Sequence, residues 1–124
     1  MSNPAREHSA RPFPISIRSA ASAPAALLAK VEHRVHSALR RFGAHIRGVR
    51  VHLADANGPR GGVDKECTIA IRLAVSPRLL LIEDVDRAFL AAVDRAADRA
   101  GYAVARAVHA THHRAGWTFR HARG

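Results

Sequence analysis

An α+β fold of order βαβββα, with a four-stranded, mostly antiparallel sheet and two helices packed on one face, follows from three observations. First, Val49-Val51-Leu53 alternate with Arg50, His52 and Ala54, and Cys67-Ile69-Ile71-Leu73 alternate with Glu66, Thr68, Ala70 and Arg72. Strict period-two alternation marks strands with one buried and one wet face. Second, the segment between them, Asp55 to Asp64, is dense in turn residues, so the two arms form a long hairpin. Third, two other segments repeat apolar residues at three- and four-residue steps, the signature of amphipathic helices. Because the wet face of the hairpin is polar, helices are expected on the other face only.

Taken in order, residues 1–12 combine Arg6, Glu7, His8, Arg11 and two prolines without periodicity, and read as a disordered leader. Phe13 to Arg18 alternates apolar and polar and is a first strand, with Pro14 suited to an edge. Ser22-Ala23-Pro24 is a helix entry, with a cap donor and a first-turn proline. Leu27, Leu28, Val31, Val35, Ala38, Leu39 and Phe42 then form one stripe, with Gly43 as the stop. The hairpin follows, and a turn at Ser76-Pro77 leads to Leu79–Ile82. This fourth strand is apolar on both faces, which suggests partial cover on each side or a place inside the sheet. Glu83, Asp84 and Asp86 precede a second helix, where they complement the positive end of its dipole. Its inner stripe is Phe89, Val93, Ala96, Ala97, Ala100, Val104, Ala107 and Val108. Asp94 and Asp98 are placed to pair along the same helix, and Gly101 weakens it enough for a bend or frayed end. The predicted domain spans 13–110, and 111–124 reads as a basic flexible tail.

Charge says more about partners than about fold. Lys and Arg number 20 against 10 Asp and Glu, a net charge of +10 with His neutral, and the pI is about 11.6. A polyanion is the expected partner. Lys30 and Lys65 are the only lysines, and arginine suits bidentate phosphate contacts. On the first helix Lys30, Arg34 and Arg41 lie on one side; on the second, Arg95, Arg99 and Arg106 repeat that spacing. The tip Asn57-Gly58-Pro59-Arg60-Gly61-Gly62 lacks the Gly-Lys-Ser/Thr ending of a nucleotide-binding loop and joins two strands, so it is a hairpin tip that can present Arg60 to a phosphate.

Other chemistries find little support. Cys67 is the only cysteine, which excludes an intramolecular disulfide, and its inward position suits a buried, inert thiol. His109, His112 and His113 have a helical spacing that can hold zinc, yet no carboxylate or cysteine lies close in sequence to complete a site, so neither metal nor cofactor is expected. No Ser-His-Asp, paired-carboxylate or Cys-His arrangement stands out, and no small-molecule substrate is expected. No apolar run approaches the ~20 residues of a membrane span, and no signal-peptide core is present, so a cytoplasmic, non-enzymatic protein is expected.

The order of elements, the hairpin Asp55-Ala56-Asn57-Gly58-Pro59-Arg60-Gly61-Gly62-Val63-Asp64-Lys65-Glu66-Cys67 and the helix segment Ala91-Ala92-Val93-Asp94-Arg95-Ala96-Ala97-Asp98-Arg99 resemble the ribosome hibernation-promoting factor family, also called ribosome-associated translation inhibitors, over roughly Pro14 to Val108. The resemblance implies binding to ribosomal RNA of the small subunit near the decoding centre, without catalysis. It carries RNA contacts onto Lys30, Arg34, Arg87, Arg95, Arg99 and Arg106. The chain departs from the family at Ala88 and Leu90, where an acidic residue and a tyrosine are usual. It resembles the short form, without the C-terminal dimerisation domain of long members. Two other readings stay open: a general double-stranded-RNA-binding module, and an assembly protein that docks a partner on the open sheet face through Arg50, His52, Thr68 and Arg72. Cations of both helices converging on one side would favour RNA; an apolar patch on the open sheet face would favour a protein partner.

Overall fold

The computed structural model describes residues 13–20, 23–55, 64–74 and 76–123, with side chains to residue 110. The elements are β1 (Ile15–Ser19), α1 (Ala25–Leu39), a 3-10 turn (Arg40–His45), β2 (Ile46–Asp55), β3 (Lys65–Leu73), β4 (Leu79–Asp86) and α2 (Phe89–Arg123). This is the expected βαβββα order. The sheet runs β1-β2-β3-β4. The β1–β2 pair is parallel and the other two are antiparallel. A parallel pair needs a crossover; α1 supplies it, and α2 returns across β3 and β4 to pack beside α1 on the same face.

The hairpin register places the apolar arms opposite one another: Val49 with Ile71, Val51 with Ile69, Leu53 with Cys67. All of these are buried, as are Val31, Val35 and Leu39 of α1 and Ala92, Val93, Ala96, Ala97, Ala100 and Val104 of α2. The alanines of α2 keep its inner surface flat, so the helices approach closely. At their crossing Gly101 is buried, and a Cβ there would stand 3.4 Å from the Ala38 carbonyl oxygen. Gly101 is therefore a packing position inside a continuous helix rather than a bend or an end. The helix runs on to Arg123, through the segment expected to be a tail.

Several boundaries differ from expectation for physical reasons. Helix α1 ends at Leu39, and the chain passes Gly43 in the 3-10 turn. Pro24 occupies the N-cap and makes no side-chain cap bond; its carbonyl accepts from the amides of Leu27 and Leu28 at 3.0 and 3.1 Å. Ser22 lies outside the described residues. The largest correction concerns β4, which continues through the acids to Asp86 and forms an edge of the sheet. Leu80, Ile82, Asp84 and Asp86 point toward α2, while Leu79, Leu81, Glu83 and Val85 are exposed on the open face. The apolar outer side of β4 is thus uncovered rather than enclosed. Asp86 still serves the helix entry, accepting from the amides of Arg87 and Ala88 at 2.6 and 3.3 Å. Among the described residues no helix is long and apolar enough to cross a membrane.

Candidate nucleic-acid interface

The expected interface comprises Lys30, Arg34, Arg41, Arg60, Arg87, Arg95, Arg99 and Arg106. Lys30 and Arg34 lie on α1, Arg95, Arg99 and Arg106 on α2, and Arg87 just before α2; Arg41, expected on the first helix, lies in the 3-10 turn that follows it, because α1 ends at Leu39. Arg60 belongs to the hairpin tip, which lies outside the described residues, as do the side chains of His112 and His113.

Arg34 sits where the two helices meet. Its Nε donates to Asp94 Oδ1 at 3.0 Å, and its Nη2 donates to Asp98 Oδ1 at 2.7 Å and to the Asp94 carbonyl at 3.3 Å. The hydrogen bond from Arg34 to Asp98, reinforced by both carboxylate charges against a desolvation cost, holds its guanidinium above the ordinary arginine value. Asp94 and Asp98 therefore pair across to α1, not along α2 as their spacing suggests.

Arg34 also joins two hollows in the interhelical groove. One, of about 380 Å³, is lined by Lys30, His33, Leu90 and Asp94. The other, of about 230 Å³, is lined by Ser37, Arg41, Asp98 and Tyr102. The Arg41 guanidinium carbon stands 4.9 Å from the Phe42 ring centroid, a cation–π contact that supports the side chain at the groove.

The other two central arginines face away from this groove, toward β4. Arg95 donates through Nε and Nη2 to Asp84 Oδ1 at 3.1 and 2.9 Å, and pairs with Asp86 Oδ2 at 2.8 Å. Arg99 pairs with Asp84 Oδ2 at 3.2 Å. Both also bond backbone of the edge strand: Arg95 Nη2 to the Val85 carbonyl at 2.8 Å and Arg99 Nη1 to the Glu83 carbonyl at 2.7 Å. The Val85 amide donates to Asp84 Oδ1 at 2.8 Å. Carbonyls and an amide of this edge strand are thus satisfied within the chain, which blunts it against pairing with another strand. Burial raises the Asp84 carboxyl, but hydrogen bonds from Arg95, the Val85 amide and Arg99 outweigh it and hold the group below the usual carboxylate range. Asp86 is held low chiefly by its bond with Arg95 and by the Arg87 and Ala88 amides.

The two expected rows therefore do not merge into one uninterrupted cationic surface. The aspartates of α2 lie between Arg34 and the Arg95–Arg99 side, and three of the eight candidates are engaged in ion pairs. Among the described residues, Lys30, Arg41, Arg87 and Arg106 are exposed and in no ion pair.

A further cluster escaped the sequence reading. At the base of the hairpin tip, Lys65 Nζ lies 3.1 Å from Asp55 Oδ2 and 3.2 Å from the fully buried carboxylate of Asp64. The Asp55 bond in particular holds the Lys65 ammonium above its ordinary value. The signal available was Asp55 and Asp64 at the two ends of a turn-rich loop, with the only lysine of the hairpin opening its second arm. Cys67, buried on the helix-facing side of β3, has its thiol pushed up to about 12 by desolvation and by the nearby Asp84 charge.

No protein-family model and no curated protein matches this sequence. Among solved structures, the chain is similar to a ribosomal subunit interface protein from Coxiella burnetii, with a TM-score of 0.63 at 12% identity over 75% of this chain and 94% of that one. It is also similar to the N-terminal domain of Thermus thermophilus Protein Y, with a TM-score of 0.59 at 24% identity over 74% of this chain and 93% of that one. At these identities the likeness is one of fold: the chain shares the architecture of a ribosomal subunit interface protein and of the Protein Y N-terminal domain.

Proposed function

We propose that the chain is a non-enzymatic, cytoplasmic ribosome-associated protein. It binds the small subunit through ribosomal RNA near the decoding region and there inhibits translation or stabilises idle ribosomes. The observation that carries this reading is the fold shared along nearly the whole length of a protein named for the ribosomal subunit interface, in a chain of net charge +10. Lys30 and Arg41, at the two ends of the interhelical groove, with Arg87 and Arg106, supply cations that no carboxylate among the described residues engages and that phosphates can take. Arg34, Arg95 and Arg99 hold the helices and β4 in place and offer the remaining donors of their guanidinium groups. Arg60 would extend the contact from the hairpin tip.

One observation favours a second reading. Leu79, Leu81 and Val85 are 55%, 57% and 41% exposed along one strand of the open sheet face, which suits a protein partner there. Sedimentation of the purified chain with 30S, 50S and 70S particles tests the primary proposal: co-sedimentation with 30S and 70S is expected. Equal affinity for any RNA duplex would return a general RNA-binding module, and absence from every ribosomal pellet would overturn the proposal.

A further inference from the structure

The open face of the sheet carries a row of arginines that the groove reading does not use. Gly48 pairs with Arg72, Arg50 with both Ser16 and Ala70, and His52 with Arg18. Arg72 on β3, Arg50 on β2 and Arg18 on β1 therefore climb diagonally across three strands, each step one strand over and two residues along. With strands about 4.8 Å apart and about 3.3 Å of rise per residue, each step is about 8 Å. Arg47, at the register shift between Ile46 and Gly48, adds a cation at the start of the row. His52 stands beside Arg18 at its end.

These four arginines are exposed, and among the described residues none is in an ion pair. That sets them apart from Arg34, Arg95 and Arg99, each committed to aspartates. Between Arg47, Arg50 and Arg72 the face is hollowed by about 390 Å³, over the small residues Ser16, Gly48 and Ala70. The guanidinium groups thus border a shallow trough. The acids of this face, Glu66 and Glu83, lie off the diagonal on β3 and β4.

The geometry points to this diagonal as a second phosphate-binding face, which takes the sugar–phosphate backbone of a single RNA strand. A regular step between cations matches a regularly charged polymer, and the row runs past the hollow to Arg18, farther than one mononucleotide would need. Among the described residues no aromatic side chain lines the hollow, and contact through phosphates carries no sequence preference. The choice of RNA as the polyanion rests on the proposed ribosomal role; the arginine row itself does not.

The test is fluorescence anisotropy of the full chain with a labelled single-stranded RNA of mixed sequence across a salt series. Each lost phosphate contact lowers the single-strand salt slope by about 0.7. R50E/R72E is expected to weaken binding at least tenfold, to lower the slope by roughly 1.4, and to do so equally for a second RNA of unrelated sequence. R50Q/R72Q is expected to weaken it less, with an unchanged melting temperature in both variants. Unchanged affinity and slope in R50E/R72E would overturn the inference. So would arginine-dependent binding of poly-glutamate without arginine-dependent binding of RNA, which would assign the face to an acidic protein segment. Loss of RNA binding in R50E/R72E, together with no sedimentation of the wild type on ribosomes, would sustain this face while removing the ribosomal reading. Sedimentation on 30S with unchanged oligonucleotide binding in the variant would do the reverse.

Discussion

At Cys67, opposite Asp84 in the β3–β4 register, the buried thiol is pushed up to about 12, so almost no thiolate exists near neutral pH. A thiol reagent is expected to label the chain only after denaturant is added; stoichiometric labelling of the native protein would show that β3 is placed wrongly. Ile71, farther along the same face of β3, is fully buried, and Ile71→Ala is expected to cost roughly 2–5 kcal/mol in a urea melt. Gly101 gives the opposite sign. A methyl group there meets the Ala38 carbonyl oxygen at an ordinary contact distance, and alanine is favoured over glycine inside a helix by up to about 1 kcal/mol. Gly101→Ala should therefore be neutral or stabilising, whereas Gly101→Leu should lose about 1–3 kcal/mol by overpacking the helix crossing.

Between elements, charge is structural. Arg34 ties α1 to α2, and Arg95 and Arg99 tie α2 to β4. These pairs are partly exposed, so Arg34→Ala is expected to cost only about 1 kcal/mol; Arg34→Glu, which faces a carboxylate with Asp94 and Asp98, should cost more. Asp84 and Asp86 have folded values held below their unfolded ones. Their contribution is present above the unfolded carboxylate value, near 3.9, and is lost as pH falls through the folded values. Between pH 5 and pH 2.5 the urea midpoint of the wild type should fall, and Asp84→Asn should flatten that fall; an unchanged slope would mean the Arg95–Asp84 pair does not form. The alternation of Val49–Leu73 and the stripe from Val31 to Leu39 were legible because each periodicity depends only on near neighbours. The partners of Asp84, Asp94 and Asp98 were not, since they come from other elements. The run Glu83-Asp84-Val85-Asp86 reads as a helix entry until Asp84 and Asp86 are seen to share with Ile82 the helix-facing side of one strand. The same pairings show why Arg34 and Arg99, legible as surface charge, are poor probes of binding alone: changing them also loosens the scaffold.

For the whole molecule, a net charge of +10 and several cations outside ion pairs among the described residues predict that the proposed binding to ribosomes is strongly salt-dependent if phosphates are the contacts. An affinity that barely changes between low and high salt would contradict RNA as the partner. Lys30 and Arg41 are the decisive positions, because both border the interhelical groove and neither is in an ion pair among the described residues. Exposed substitutions of this kind usually shift stability by about half a kcal/mol. The most direct measurement is co-sedimentation of K30E/R41E with 30S particles, beside wild type, after matched melting temperatures confirm the fold. The account predicts at least a tenfold loss of 30S binding in the variant; retention equal to that of the wild type would contradict the groove as the ribosome-binding site.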